Sequence, residues 1–169
     1  MSLSLYDFVT PAMIRGLVNL SAQIDKAVAY AAEKGIAHEE LLHARLAPDM
    51  YDFVQQVQRV SDVAKFAAAR LSQQLPPVCP DVETTFDELK ARIDTTIAYL
   101  RSVPREAIDG QENIEVRFTA GPYELSFTGA DYVRSFALPN FYFHASAAYA
   151  ILRHKGVPVG KLDFLGRIQ

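Results

Sequence analysis

Apolar positions recur with the three- and four-residue spacing of amphipathic helices over three long stretches of the chain. The first stretch is Leu5–Lys34, where Thr10–Pro11 either kinks the helix or marks a fresh start and Gly35 provides a stop. A short extra turn is predicted for residues 39–45, and Pro48 opens a second helix over residues 49–73. The predicted core stripe of this second helix consists of Phe53, Val54, Val57, Val60, Ala64, Ala68 and Leu71.

The rest of the chain combines two further helices with a change of period. A third helix is predicted over residues 84–102, with Thr84 or Thr85 as its cap. Over residues 114–127 the period falls to two, which predicts a β-hairpin, and a fourth helix follows over residues 137–154 and ends before Gly156. Four long helices with one long crossover predict an all-α four-helix bundle, with a small β-hairpin between helices three and four. We expect a single domain over residues 1–169.

Charge and composition narrow the classes of function. The chain has 169 residues, a net charge of −3 and a pI near 5.8, and no Arg-rich face, so we expect no nucleic-acid partner. No run approaches the ~20 apolar residues of a membrane span, so we expect no membrane partner. The first residues lack the basic flank and apolar core of a signal peptide, and Cys79 is the single cysteine. We therefore expect a cytoplasmic protein.

The four histidines are the first residues to test as metal ligands. They are His38, His43, His144 and His154. Two histidines that clamp a metal from one helix need a spacing of three or four residues, but His144 and His154 lie ten apart, about 15 Å along a helix. No HExxH, CxxC or EF-hand pattern occurs. We expect no cofactor and no tight metal site, with a weakly bound divalent metal as the alternative.

His144 is the candidate catalytic group, and Asp62 is the carboxylate that we expect opposite it. The pattern around His144 fits either a buried neutral histidine that is hydrogen-bonded across the bundle or a functional imidazole at the base of a pocket. Asp62 also belongs to a polar stripe that is typical of a solvated helix face. That stripe consists of Gln55, Gln58, Asp62 and Lys65. The side chains expected to contact a ligand are Gln58, Asn140 and Tyr142.

Five segments of the chain resemble an uncharacterised bacterial family in the DinB/YfiT-like superfamily of four-helix bundles. They are RLAPDM at 45–50, SDVAK at 61–65, PNFYFH at 139–144, AYAILRH at 148–154 and GVPVGKLDFLG at 156–166. The resemblance implies a four-helix bundle, a homodimer and a cytoplasmic location. It also implies a divalent metal held by three histidines, one on helix two and a close pair on helix four. Helix two has no histidine here, so His154, in RHKG, is the only remnant of that set.

Three hypotheses of function remain open from the sequence. The first is a small-molecule- or partner-binding bundle that lacks the metal set of the superfamily. The second is a hydrolase or transferase that uses His144 with Asp62, with or without a weak metal. The third is a dimeric interaction module, for which the aromatic residues outside the core stripes provide a patch. Those residues include Tyr6, Phe8, Tyr123 and Phe127.

Overall fold

Capping boxes begin three of the long helices in the computed structural model, which describes residues 4–166. In each box the cap side chain accepts a hydrogen bond from the backbone N–H three residues later, and that residue's side chain accepts one in return. Ser4 starts α1 (Leu5–Lys34), Asp52 starts α3 (Phe53–Ser72) and Thr85 starts α4 (Phe86–Ser102). The short helix α2 (His38–Leu42) lies between α1 and α3.

The first predicted helix has the predicted bounds, with no fresh start at Pro11, whereas the start of the second differs from the structure. Helix α1 is continuous through Pro11, and it ends at Gly35, whose φ of 64° is left-handed. Helix α3 begins at Phe53 and not at residue 49, because Asp52 is extended and its carboxylate caps the helix by accepting from the N–H of Gln55. The backbone N–H of Met50 donates to the carbonyl of Ala47, so a turn precedes the helix.

The hairpin is formed by β1 (Glu115–Ala120) and β2 (Tyr123–Thr128), which pair antiparallel with Val116 opposite Phe127. A helical run follows at once. It consists of α5 (Gly129–Tyr132), a π-helical turn (Val133–Ala137) and α6 (Leu138–His154). Pro139 has no backbone N–H for the bond to the preceding turn, so a change of helical register is tolerated here. The fourth predicted helix is therefore correct in place, but its helical run begins earlier.

The long helices α1, α3, α4 and α6 form the four-helix bundle, and the core lies between them. All seven residues of the predicted stripe on the second helix are buried, so that prediction is confirmed. Phe118 and Phe127 of the hairpin form an aromatic cluster with Tyr132 of α5 and Phe136 of the π-helical turn, and this cluster packs against the core. The guanidinium of Arg70 lies 3.7 Å from the ring centroid of Phe118. Phe127 thus packs within its own chain, and the expectation that it joins a surface patch is wrong.

The C-terminal helix α7 (Lys161–Leu165) lies across α1. Three α1 side chains donate to successive backbone carbonyls of this segment. These are Arg15 to Leu165, Asn19 to Phe164 and Gln23 to Asp163, at 2.9, 3.0 and 3.3 Å. Phe164 packs edge-on against Tyr149 of α6, at 5.9 Å between ring centroids. Within residues 4–166, no helix is long and apolar enough to cross a membrane.

Candidate functional site

His144 on α6 faces Gln56 on α3 across the bundle. The ring Nδ1 lies 2.8 Å from Oε1 of Gln56, whose side-chain Nε2 donates to the backbone carbonyl of Tyr51 at 3.4 Å. A carbonyl only accepts, so this second bond fixes the orientation of the buried amide. Oε1 therefore faces the ring, Nδ1 carries the proton and donates, and Nε2 of His144 is left with its lone pair.

The free nitrogen of His144 is available to a molecule from solvent. Among the described residues no protein group hydrogen-bonds to Nε2, and this atom is not one of the buried polar atoms without a partner. Two aromatic rings flank the imidazole: Tyr51 stacks on it at 6.2 Å between centroids, and Phe143 meets it edge-on at 5.2 Å. Their exposed fractions are 48% and 59%, so the imidazole lies within an exposed aromatic patch.

Burial and, to a smaller extent, the positive charge of Arg59 together lower the pKa of His144 from 6.5 to about 4. Both effects disfavour the imidazolium, because a buried cation loses hydration and a nearby cation repels it. The ring is consequently neutral throughout the physiological pH range. A neutral imidazole with its proton fixed on Nδ1 accepts a hydrogen bond or binds an electrophile through Nε2, but it does not donate a proton at pH 7.

Arg92 on α4 is the centre of a buried ionic network between α3, α4 and the connection over residues 73–85. Its side chain is 2% exposed, and five acceptors surround its five N–H groups. They are Ser61 Oγ, Pro80 O, Glu83 Oε1, Asp62 Oδ1 and Asp81 Oδ1, at 2.7–3.2 Å. Arg92 thus ties the connection to the bundle through four hydrogen bonds and an ion pair with Asp81.

The network determines the role of Asp62. Its carboxylate contacts Arg92 at 2.7 Å, Lys65 at 2.8 Å and Arg59 at 3.1 Å. The expectation that Asp62 faces His144 is therefore wrong, because three cations hold this carboxylate on another side of α3. The interpretation of the polar stripe as a solvated face is also wrong, because Lys65 and Gln58 are buried.

Glu83 shows how the network controls ionisation. Burial by itself raises the pKa of this carboxyl group, but hydrogen bonds from Gln58 and Arg92 outweigh burial and leave the pKa lowered. For Arg92, burial lowers the pKa, whereas the hydrogen bond to Glu83 and the charge of Asp62 raise it to a larger extent. Both partners thus stay charged, as expected of a buried pair that is fully hydrogen-bonded.

A polar cleft of about 410 Å³ lies between the start of α3 and the 73–85 connection. Tyr51 belongs both to this cleft and to the aromatic patch beside His144. Arg59 lines the cleft and pairs with Asp81. The other polar side chains in its wall are His43, Asp52, Gln55, Gln58 and Glu83. The cleft thus offers donors and acceptors of both charges, and Tyr51 connects it to the aromatic patch that contains the imidazole.

The other residues that the sequence suggested as site residues lie in different parts of the structure. Gln58 lines the cleft and donates to Glu83 at 2.8 Å. Asn140 lies on α6 one turn before His144 and is half-buried. Tyr142 lines a different groove, against α1 and α7, and His154 is the exposed last residue of α6. Of the three predicted ligand contacts, Gln58 is thus the one in the wall of the cleft.

A family model described as Domain of unknown function (DUF1993) matches residues 5–165. This protein belongs to the DUF1993 family. A crystal structure of a DinB family member from Shewanella denitrificans is 38% identical to it, with a TM-score of 0.89, over 97% of this chain and 93% of the other. No curated protein matches the chain. The predicted membership of an uncharacterised DinB-like family and the predicted four-helix bundle are both confirmed.

The three-histidine metal set that the superfamily resemblance implies does not fit the side chains of this DUF1993 protein. Gln56 and His144 lie on the second and fourth bundle helices, but Oε1 of Gln56 already accepts from the ring. One turn after His144 stands Ala148, and His154 is exposed ten residues away. Within residues 4–166, no group of three or more His, Cys, Asp or Glu side chains is able to hold a metal ion.

Sequence reasoning missed Gln56 and Arg92 in this DUF1993 chain, although each is a polar residue within the apolar stripe of its helix. Gln56 lies three residues after Phe53 and four before Val60, so it is a polar residue within an apolar stripe. Arg92 likewise lies three residues after Leu89 and beside Ile93. A polar residue at a core position requires a buried partner. The sequence therefore marks these two residues as paired, without naming their partners.

Proposed function

We propose that this DUF1993 protein binds a small polar molecule at Nε2 of His144, beside Tyr51 and next to the cleft between the start of α3 and the 73–85 connection. The observation that carries the proposal is the fixed tautomer of His144, whose Nε2 lone pair has no protein partner among the described residues. Ligand sites commonly combine such a single orienting polar atom with aromatic walls. The ligand class is a neutral molecule that donates a hydrogen bond to Nε2, because the charge of Arg59 disfavours a second cation beside the ring, and the binding mode uses no metal.

The pKa of His144 favours binding over acid–base catalysis. A general base works best with a pKa near the working pH, and a pKa of about 4 lies well below it. The carboxylate needed to raise that pKa is absent from the contacts of the ring, since Asp62 pairs with Arg92, Lys65 and Arg59. The hydrolase or transferase that pairs His144 with Asp62 thus has less support than the binding protein.

Thermal-shift screening with neutral, cationic and anionic polar compounds tests this proposal. Compounds that raise the melting temperature of the wild type are expected to lose that effect with His144→Phe, which keeps an aromatic ring and removes Nε2. Gln74→Ala, in the connection and away from the imidazole contacts, is the matched control. Compounds that stabilise the His144→Phe variant as much as the wild type would contradict the proposal.

The second proposal concerns assembly: we expect the protein to form a homodimer in the cytoplasm. Its support is the exposed aromatic patch of Tyr51 and Phe143 around His144, because patches of this kind often mark interfaces. We expect a two-fold interface that buries more than about 1,000 Å² in total. Light scattering is expected to give a dimer mass for the wild type and a monomer mass for Phe143→Glu, with Leu162→Glu as the exposed control. A monomer mass for the wild type at micromolar concentration would contradict it.

A further inference from the structure

A groove between α1, α6 and α7 lies away from His144 and has no role in the proposed function. Its volume is about 230 Å³, and its walls include Gly16, Asn19, Tyr142 and Phe164. Gly16 allows the close approach of the helices, because a Cβ at this position would lie 2.6 Å from the ring of Phe141. The carbonyls of α7 are held by α1 side chains, so the groove has a fixed outer wall.

A small enclosed cavity of about 20 Å³ continues the groove into the bundle. The two spaces share Gly16, Tyr142 and Phe164, and the cavity adds Gln23 to the wall. Its other lining residues are apolar: Leu20, Phe141 and Ala145. The path from solvent to Gln23 thus passes Arg15 and Asn19 in the groove and then runs between the apolar side chains of the cavity.

Gln23 is only 2% exposed, and its Oε1 has no hydrogen-bond partner within residues 4–166. Its Nε2 donates to the backbone carbonyl of Asp163 at 3.3 Å, which fixes the orientation of the amide and leaves Oε1 as the atom without a partner. A buried acceptor without a donor costs about 1–3 kcal/mol. Such an atom in the wall of a cavity indicates a missing donor.

We propose that the groove and its inner cavity bind a neutral amphipathic molecule with one hydroxyl group, which donates to Oε1 of Gln23. Water alone fits poorly, because a buried water needs two to four polar partners and the inner cavity supplies few besides this oxygen. An alcohol needs only one acceptor for its proton, and its carbon chain lies in the outer groove against Tyr142, Phe164 and Leu165. A carboxylate at the inner end is disfavoured by the same oxygen, since both groups are acceptors.

Two isomeric probes isolate the proposed hydrogen bond. 1-Butanol and methyl propyl ether have the same atoms, but only the alcohol has a donor. In titrations followed by ¹H–¹⁵N NMR, 1-butanol is expected to shift the side-chain amide of Gln23 and the backbone amides of Ala145 and Phe164, with saturation. We expect at least about tenfold weaker binding of the ether, because an ether leaves the acceptor unpaired.

Gln23→Met tests the same bond from the side of the protein. Methionine keeps the length of the side chain and removes the oxygen, so the variant is expected to bind the two probes equally. Gln74→Met, at an exposed glutamine of the 73–85 connection, is the matched control and is expected to keep the preference for 1-butanol. Equal affinity of the wild type for both probes would overturn the proposal, and so would shifts of residues away from the groove. The absence of saturable shifts would also overturn it and would assign the cavity to water. The probe pair decides the matter even if Gln23→Met fails to fold.

Discussion

Two buried glutamines on opposite sides of α6 illustrate how differently this protein treats the same side chain. Gln56 and Gln23 are 1% and 2% exposed, and each donates through Nε2 to a backbone carbonyl. The oxygen of Gln56 has a partner in His144, whereas the oxygen of Gln23 has no partner among the described residues. The α3 side is thus a completed polar network, and the α1 side is an incomplete one.

The difference teaches where a ligand is expected to act. On the α3 side, Gln56 accepts from His144 and sets its tautomer, so the atom left for a ligand is Nε2 of that histidine. On the α1 side the glutamine oxygen is itself the atom left for a ligand. Substitutions that remove a partner are therefore expected to be costly on the first side and nearly neutral on the second.

The largest effect is expected from Arg92→Met, which removes the centre of the ionic network on the other face of α3, between α3, α4 and the 73–85 connection. The variant leaves Asp62 and Glu83 as buried carboxylates without their main cation, and loss of one partner of a buried pair costs about 3–5 kcal/mol. Urea unfolding of the variant and the wild type measures this difference. The matched control is Arg117→Met on the exposed surface of the hairpin, and an equal loss of stability in both variants would contradict the argument.

Acid sensitivity comes next, because His144 has its pKa lowered to about 4 in the folded state. The unfolded chain binds a proton near pH 6.5 and the folded chain near pH 4, so the unfolded state gains protons first as the pH falls. The histidine therefore contributes stability above pH 6.5, and this contribution is lost between pH 6.5 and pH 4. At about 1.4 kcal/mol per pKa unit, the loss is up to about 3 kcal/mol.

Urea unfolding at pH 7.5, 6 and 4.5 measures this dependence in the wild type and in His144→Phe. The wild type is expected to lose more stability over this range than the variant, which has no proton to bind at this position. Parallel losses in the two proteins would show that other groups determine the acid response.

How far the sequence predicts this structure depends on the kind of contact. Helix periodicity predicts the bundle and its core stripe, because the burial of Phe53 or Leu71 needs only an apolar neighbour of any identity. The partners of His144 and Asp62 are specific atoms from other elements, and a pattern on one helix does not show which residues face it. Asp62 therefore pairs with Arg92 of α4 and not with His144.

Gln56→Met tests the polar network on the α3 side by removing the glutamine that bonds to His144. The variant leaves the Nδ1 proton of His144 and the carbonyl of Tyr51 without their partner, so a loss of about 1–3 kcal/mol is expected. Imidazole ¹⁵N shifts are expected to report a mixture of tautomers in place of a single one, because nothing then fixes the proton on Nδ1. An unchanged tautomer in the variant would show that Gln56 does not determine it.

The smallest change in the free energy of unfolding is expected from Gln23→Met, the corresponding substitution on the α1 side. The substitution loses one long hydrogen bond, from Nε2 to the carbonyl of Asp163 at 3.3 Å, but it also removes an oxygen that has no partner among the described residues. The two changes oppose each other, so the free energy of unfolding is expected to stay within about 0.5 kcal/mol of the wild type. Urea unfolding of Gln23→Met and Gln56→Met under identical conditions gives the result directly. If Gln23→Met were as destabilising as Gln56→Met, then the oxygen of Gln23 would already have a partner in solution, and the two sides of α6 would be equivalent.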